Sequence, residues 1–258
     1  MALRFIACLL FALAFPSVAG ALPVVAGFGD SITCDTCNDG SYLRLLANYL
    51  EPDPIIDDNG VSSDRTGSVL SRLETWIDEG NMADVLVLLT GTPDTYQAVG
   101  GWMNRPYDPL ETLGNIEDMI DLVLAESIPL ILAAPPPALD PCGNPSVLTC
   151  GDIDGRLADL ADDLALVATT KSVPFLDLYA AFQADPRFGL IADGGQHPGP
   201  DSLFLNDGLH PKLATGDVLI ASLVTPLIEQ ALIPEPSTAV LLACGLLALA
   251  HRQRRKAA

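Results

Sequence analysis

Short apolar runs alternate along the chain with longer stretches whose apolar positions recur every three or four residues. The short runs are Val24–Gly29, Pro54–Asp57, Val85–Thr90, Leu130–Ala134 and Val173–Leu176, each bounded by Gly, Pro, Asp or Asn. Aliphatic and β-branched runs with such boundaries predict strands. Between them, Tyr42–Leu50, Ser68–Glu79, Leu110–Glu126 and Ile153–Thr170 predict helices, and a last helix is predicted over Leu213–Leu232. In the fourth of these, Leu157, Leu160, Leu164 and Val167 form one stripe while Asp159, Asp162 and Asp163 lie off it, the signature of a helix with one buried face. Strand–helix alternation repeated in this way predicts a parallel sheet covered on both faces. The unbroken Val85-Leu86-Val87-Leu88-Leu89 fits a strand buried on both sides. Neither an internal repeat nor a linker interrupts residues 22–233. The expectation is a single three-layer α/β domain with a five-stranded parallel sheet flanked by helices. In such sheets ligands bind beyond the carboxyl ends of the strands, so the residues after each strand are the ones to search.

The two ends do not continue this pattern. Residues 1–21 place Arg4 before an apolar run from Phe5 to Phe15, then Pro16 and the small-x-small triplet Ser17-Val18-Ala19. That is the layout of a secretory signal peptide; a buried helix or a first membrane span is the alternative. Residues 234–258 open with Pro234-Glu235-Pro236, continue as an apolar stretch from Thr238 to Ala250, and close with Arg252, Arg254, Arg255 and Lys256. The stretch is short for an unaided span of about 20 residues, and the basic cluster would stay on the cytoplasmic side. The tripartite layout resembles the PEP-CTERM sorting signal of certain Gram-negative bacteria. The resemblance implies processing by an exosortase-like membrane enzyme and delivery to the cell surface or extracellular matrix. A plain C-terminal anchor is the alternative, and on either reading the membrane is met only through this segment.

Charge narrows the partners. The 258 residues include 13 Lys+Arg and 33 Asp+Glu, a net charge of −20. Removing the two ends takes away five basic residues and one acidic residue, leaving 8 against 32, or −24. A nucleic-acid binder needs a basic face, so that class is excluded. Cysteine usage follows the same division: Cys8 and Cys244 lie in the ends, while Cys34, Cys37, Cys142 and Cys150 remain in the body. An even number in an exported domain points to disulfides. Of the three connectivities, Cys34–Cys37 with Cys142–Cys150 needs the least chain rearrangement. One zinc ion on four thiols is the rival. Asp152-Ile153-Asp154-Gly155 resembles the start of a calcium loop but lacks the full spacing; an acidic first helical turn accounts for it.

The candidate chemistry sits at two places. After the first strand comes Gly27-Phe28-Gly29-Asp30-Ser31-Ile32-Thr33, which sets the Ser31 hydroxyl and N–H at the sheet's carboxyl edge; a polar turn or helix cap is the bland alternative. Before the last helix comes Asn206-Asp207-Gly208-Leu209-His210-Pro211. An Asp and a His three apart in a tight turn can share one side, where the carboxylate fixes the imidazole tautomer and strengthens it as a base. The body holds one other histidine, His197, in a glycine-rich loop.

Taken together, GFGDSIT early and DGLHP late resemble the GDSL, or SGNH, hydrolase family. The resemblance spans most of the body, and it implies a flavodoxin-like fold, with Ser31 as nucleophile and Asp207 and His210 as the Asp-x-x-His pair. The G-x-S-x-G elbow of ordinary α/β-hydrolases is absent from the chain. The family's second block, N-x-x-S-G-D, falls on residues 58–64 and sets Ser63 at the glycine whose N–H serves the oxyanion hole beside that of Ser31. Its third block, G-x-N-D, falls on Gly91-Thr92-Pro93-Asp94 and sets Pro93 where the asparagine should be. Proline has neither an amide side chain nor an N–H, so that donor is missing unless Thr92, Thr95 or another group replaces it. The resemblance therefore implies a serine esterase acting on a small-molecule or glycan ester through an acyl-enzyme, with no metal or organic cofactor. Its rival is a surface or matrix protein that keeps the fold without the catalysis.

Overall fold

The computed structural model describes residues 21–37, 40–95, 106–138, 153–188, 191–192, 197–198, 201–205 and 207–233. The signal-like and sorting-like ends, Cys142, Cys150 and Asp152 lie outside them, apart from Ala21. Five strands, β1 Val24–Gly29, β2 Ile55–Gly60, β3 Val85–Leu89, β4 Leu130–Ala134 and β5 Phe175–Asp177, form one parallel sheet in the order β2-β1-β3-β4-β5. The α/β three-layer expectation holds. Among the described residues no helix is long and apolar enough to cross a membrane.

Alternation along the strands explains the layers. Ala26 and Phe28 of β1, Leu86 and Leu88 of β3, and Leu130 and Leu132 of β4 point to one face. Val25, Val85, Val87, Leu89, Ile131 and Ala133 point to the other. Successive strand residues alternate sides, so both faces of the central strands must be covered. The first face packs on α2 Thr66–Asp78, α4 Pro109–Ala125 and α5 Ile153–Lys171, through Leu73, Trp76, Ile116, Met119, Leu160 and Leu164. The second packs on α1 Tyr42–Leu45, α6 Leu178–Ala184 and α7 Val218–Leu232, through Tyr42, Leu43, Phe182, Ile220, Val224 and Ile228. Each fully buried leucine contributes about 1.5–3 kcal/mol of hydrophobic stabilisation, which is why these stripes, rather than helix propensity, hold the layers together.

Several boundaries differ from the sequence expectation, β5 among them, which begins at Phe175 rather than Val173. β2 runs to Gly60 rather than stopping at Asp57. Its polar tail stays in register with β1, from Asp57 opposite Ala26 to Gly60 opposite Gly29, because its side chains find partners. Asp57 Oδ2 accepts from Trp76 Nε1 at 2.8 Å, and Asp58 accepts from the N–H groups of Asp35 and Gly60, each at 2.9 Å. The first helix breaks after Leu45 into a 3-10 turn over Leu46–Asn48. The last opens with a wide turn over Leu213–Asp217 before α7 begins. A one-turn helix, α3 Thr92–Thr95, follows β3 directly.

The strand order decides where a site can form. The chain leaves β1 to build β2 on one side and returns to build β3 on the other. Between β1 and β3 the connections diverge and leave a crevice at the carboxyl edge, and Ser31 sits at its rim.

Candidate active site

Ser31 lies in the turn that follows β1 and is only 5% exposed. The turn is held by Asp30, whose carboxylate accepts from the N–H of Ile32 at 3.0 Å and of Thr92 at 3.3 Å. Thr33 Oγ1 donates to the carbonyl of Leu89 at 3.2 Å, and Cys34 N–H donates to Asp30 O at 3.2 Å. The end of β1 is thus tied to the end of β3. Burial pushes the Asp30 carboxyl up from 3.8 to about 6, against the opposing pull of the Ile32 N–H and of His210.

Cys34 and Cys37 form a disulfide three residues beyond the serine, so these two sulfurs are not free thiols for a zinc site. The loop they close rests directly on the end of β2. A Cβ on Gly60 would sit 2.2 Å from Cys34 N and 2.6 Å from Thr33 C, so only glycine permits this approach.

His210 arrives from the far end of the chain. Its turn is built by Asp207, whose Oδ1 accepts from the N–H groups of Leu209 at 2.9 Å and His210 at 3.0 Å. Gly208 takes φ +68°. Leu205 N–H donates to His210 O at 2.8 Å and Lys212 N–H to Leu203 O at 2.9 Å, pinning the turn to the strand-like segment before it. Asp207 Oδ2 lies 2.6 Å from His210 Nδ1, and His210 Nε2 lies 2.8 Å from Ser31 Oγ. A carboxylate can only accept, so Nδ1 carries the proton and Nε2 is left to accept from the serine hydroxyl. Burial would raise the Asp207 carboxyl, but the His210 side chain and the N–H groups of His210 and Leu209 together hold it below its usual value. Ser31 and His210 are 179 residues apart; the fold brings them together. The other histidine, His197, lies on a two-residue strand with Pro198, paired to Ile191–Ala192.

Ser63 follows β2 by three residues and holds φ +67°, a left-handed conformation that glycine adopts freely and that costs a residue with a Cβ about 1–2 kcal/mol. Val61 N–H donates to Gly29 O at 3.2 Å, tying this loop to β1. Pro93 is buried in α3. Of the two suggested stand-ins, Thr95 Oγ1 already donates to Thr92 O at 2.8 Å. Thr92 Oγ1 has no hydrogen-bond partner among the described residues and is sealed from solvent.

Several residues at this edge had no assigned role in the sequence. Asp94 accepts from Thr66 N–H at 3.0 Å and Thr66 Oγ1 at 2.9 Å, so it caps α2 from another element. Arg72 donates to Asp64, Asn59 and Gly29. Asp154, part of the acidic first turn of α5, accepts from Tyr179 Oη at 3.1 Å and Ala138 N–H at 3.2 Å. The available signal was modest: Asp30 stands inside the GDS triplet, and Arg72 is one of few cations in a strongly acidic body. Beside Ser63 a cavity of about 310 Å³ opens between the first turns of α2 and α4, lined by Ser63, Arg65, Ser68, Asp108, Glu111 and Asn115 among others. Asp108 is engaged there in capping α4, accepting from Leu110 and Glu111 N–H at 3.0 and 3.2 Å.

Residues 28–214 match the GDSL-like lipase/acylhydrolase family. Among solved structures, the lipase/acylhydrolase from Enterococcus faecalis superposes with a TM-score of 0.62 at 24% identity, covering 84% of this chain and all of that one. An acylhydrolase described as putative, from Bacteroides fragilis, gives 0.60 at 23%, covering 90% of this chain and 97% of its own. A GDSL-like lipase from Bacteroides thetaiotaomicron gives 0.58 at 23%, covering 88% and 97%. At these identities the likeness is one of fold. Comparison with curated proteins gives no match.

Proposed function

The chain belongs to the GDSL-like lipase/acylhydrolase family, and we propose that it is an exported serine esterase acting on carboxylic esters through an acyl-enzyme. The observation that carries this reading is the continuous path from Asp207 through His210 to Ser31, with contacts of 2.6 and 2.8 Å. His210 Nε2 takes the hydroxyl proton as Ser31 Oγ bonds to the ester carbonyl carbon, and Asp207 stabilises the imidazolium that forms. Collapse of the tetrahedral intermediate breaks the carbon–oxygen bond to the alcohol, which leaves with the proton held by His210. Water, deprotonated by His210, then attacks the acyl carbon; collapse releases the acid and returns the proton to Ser31. The N–H groups of Ser31 and Ser63 face the developing oxyanion in this scheme. The substrate is a small-molecule or glycan ester. The signal-like amino terminus and the sorting-like tail support export, with the body released to the cell surface or matrix.

Pro93 supports the second reading, a surface protein that keeps the fold without turnover. Loss of one oxyanion donor lowers turnover by about 10²–10³-fold, which leaves a slow esterase rather than none, so the enzymatic reading is preferred. Treating the purified protein with a fluorophosphonate probe and assaying nitrophenyl esters separates the two. Covalent labelling at Ser31, with turnover lost in Ser31→Ala, is the expected result. Absence of labelling, or turnover unchanged by that substitution, overturns the proposal.

A further inference from the structure

One guanidinium meets three segments that have to agree in position for the proposed reaction. Arg72 sits on α2 with its side chain 28% exposed. Its Nη2 donates at 3.0 Å to the carbonyl of Gly29, two residues before Ser31. Its Nη1 donates at 2.6 Å to the carbonyl of Asn59, near the end of β2. Its Nε donates at 2.9 Å to Oδ2 of Asp64, the residue after Ser63. We infer that Arg72 is a positioning residue that holds the loop of residues 61–65, and with it the Ser63 N–H, in register with the nucleophile turn. This rests on the roles proposed above for Ser31 and Ser63.

The chemistry of the side chain supports the assignment. Three donors fixed in one plane can reach two carbonyls and a carboxylate on different segments at once; an ammonium is a single point of charge and cannot span them in the same way. The loop also has a reason to need holding. Ser63 keeps φ +67°, a backbone conformation that persists in a residue with a Cβ only where the surroundings enforce it. On its other side the end of β2 meets the disulfide loop, through Asp58 to Asp35 N–H and through the close approach of Gly60 to Cys34. Arg72 supplies the opposing grip.

The test uses the full chain as wild type, Arg72→Met, Arg72→Lys and Asp64→Asn, assayed well below each melting temperature. Two readouts are taken: kcat and KM on a nitrophenyl acetate, and backbone hydrogen exchange by mass spectrometry. Expected for Arg72→Met is a fall in kcat of about 10–100-fold, up to the worth of one oxyanion donor, with KM within about threefold. Arg72→Lys recovers part of that loss, and Asp64→Asn loses less than Arg72→Met. Exchange quickens at residues 61–65 while Val85–Leu89 stays as protected as in the wild type. An unchanged kcat in Arg72→Met, or exchange that quickens evenly across the sheet, overturns the inference. If Arg72→Met does not fold, Arg72→Lys and Asp64→Asn carry the same comparison. If the wild type shows no Ser31-dependent turnover, the esterase reading fails by itself. The exchange readout then decides for Arg72 separately: a change confined to residues 61–65 upholds the positioning role, and no change there overturns it.

Discussion

Two carboxylates stand on either side of the Ser31–His210 pair, and their surroundings push them in opposite directions. Asp30 closes the turn after β1, is fully buried, and is pushed up to about 6 by that burial. Asp207 builds the turn before α7, keeps its side chain 46% exposed, and is held low by His210 against its own partial desolvation. The same residue type thus does two jobs. Asp207 stays ionised over the neutral range and can orient and charge-balance an imidazolium. Asp30 bonds N–H groups of the β1 and β3 turns and has no imidazole to serve. Proximity to Ser31 in sequence is therefore a poor guide to which acid meets the imidazole beside it.

The sharpest way to break this comparison is to neutralise each acid in turn. Asp207→Asn should lower kcat by about 10³–10⁴-fold by releasing the tautomer of His210. Asp30→Asn should lower it by about tenfold or less. Steady-state kinetics on one ester decides, and equal losses would erase the distinction. A second measure concerns the β3 turn, where the donor is missing. Pro93→Asn should raise kcat by about 10–100-fold if the family's amide donor is what the site lacks; an unchanged rate would show that the two N–H groups already suffice.

The pH dependence of stability separates the two acids again. Asp30 has a folded value above its unfolded 3.8, so the folded state holds the proton more tightly. Its penalty is absent below about pH 4, grows as the pH rises, and is complete above about pH 6, where a two-unit shift amounts to about 3 kcal/mol. Asp207 has the reverse sign: its contribution is present above its unfolded value and disappears as the pH falls through the folded one. Urea unfolding of wild type and Asp30→Asn between pH 4 and pH 7 should give curves that differ in slope below pH 6 and run parallel above it. The smallest expected effect is at the loop of residues 61–65. Ser63→Gly should add about 1 kcal/mol of stability, or somewhat less, by relieving the left-handed strain, while leaving kcat within about twofold. Thermal melts and the same ester assay check it.

Much of the fold was legible because burial imposes pattern. Residues such as Val85–Leu89 had to read as continuously apolar once helices covered both sides of the sheet, and the helical stripe from Leu157 to Val167 had to follow the spacing of one buried face. β2 was read short because its last residues are polar and earn their place through side-chain bonds to Trp76 and Asp35, which no periodicity records. The one-turn helix at Thr92 and the break after Leu45 escaped for a similar reason: local geometry there answers to neighbours far along the chain. Of the site, Ser31, Asp207 and His210 were legible as short motifs. Asp30 and Arg72 were not, since a charge in a sequence carries no mark of what will surround it.

By itself the amino-acid order determined which segments seek the interior, where turns interrupt them, and which nucleophile, base and acid types are available. Tertiary structure alone decided that Ser31 and His210 meet and which cation grips the loop of residues 61–65. The physical reason is range. Hydrophobic period and turn chemistry act over a few neighbouring residues and so are written locally. Desolvation and hydrogen-bond partnership at the sheet edge depend on strands and loops that become neighbours only when the chain has folded.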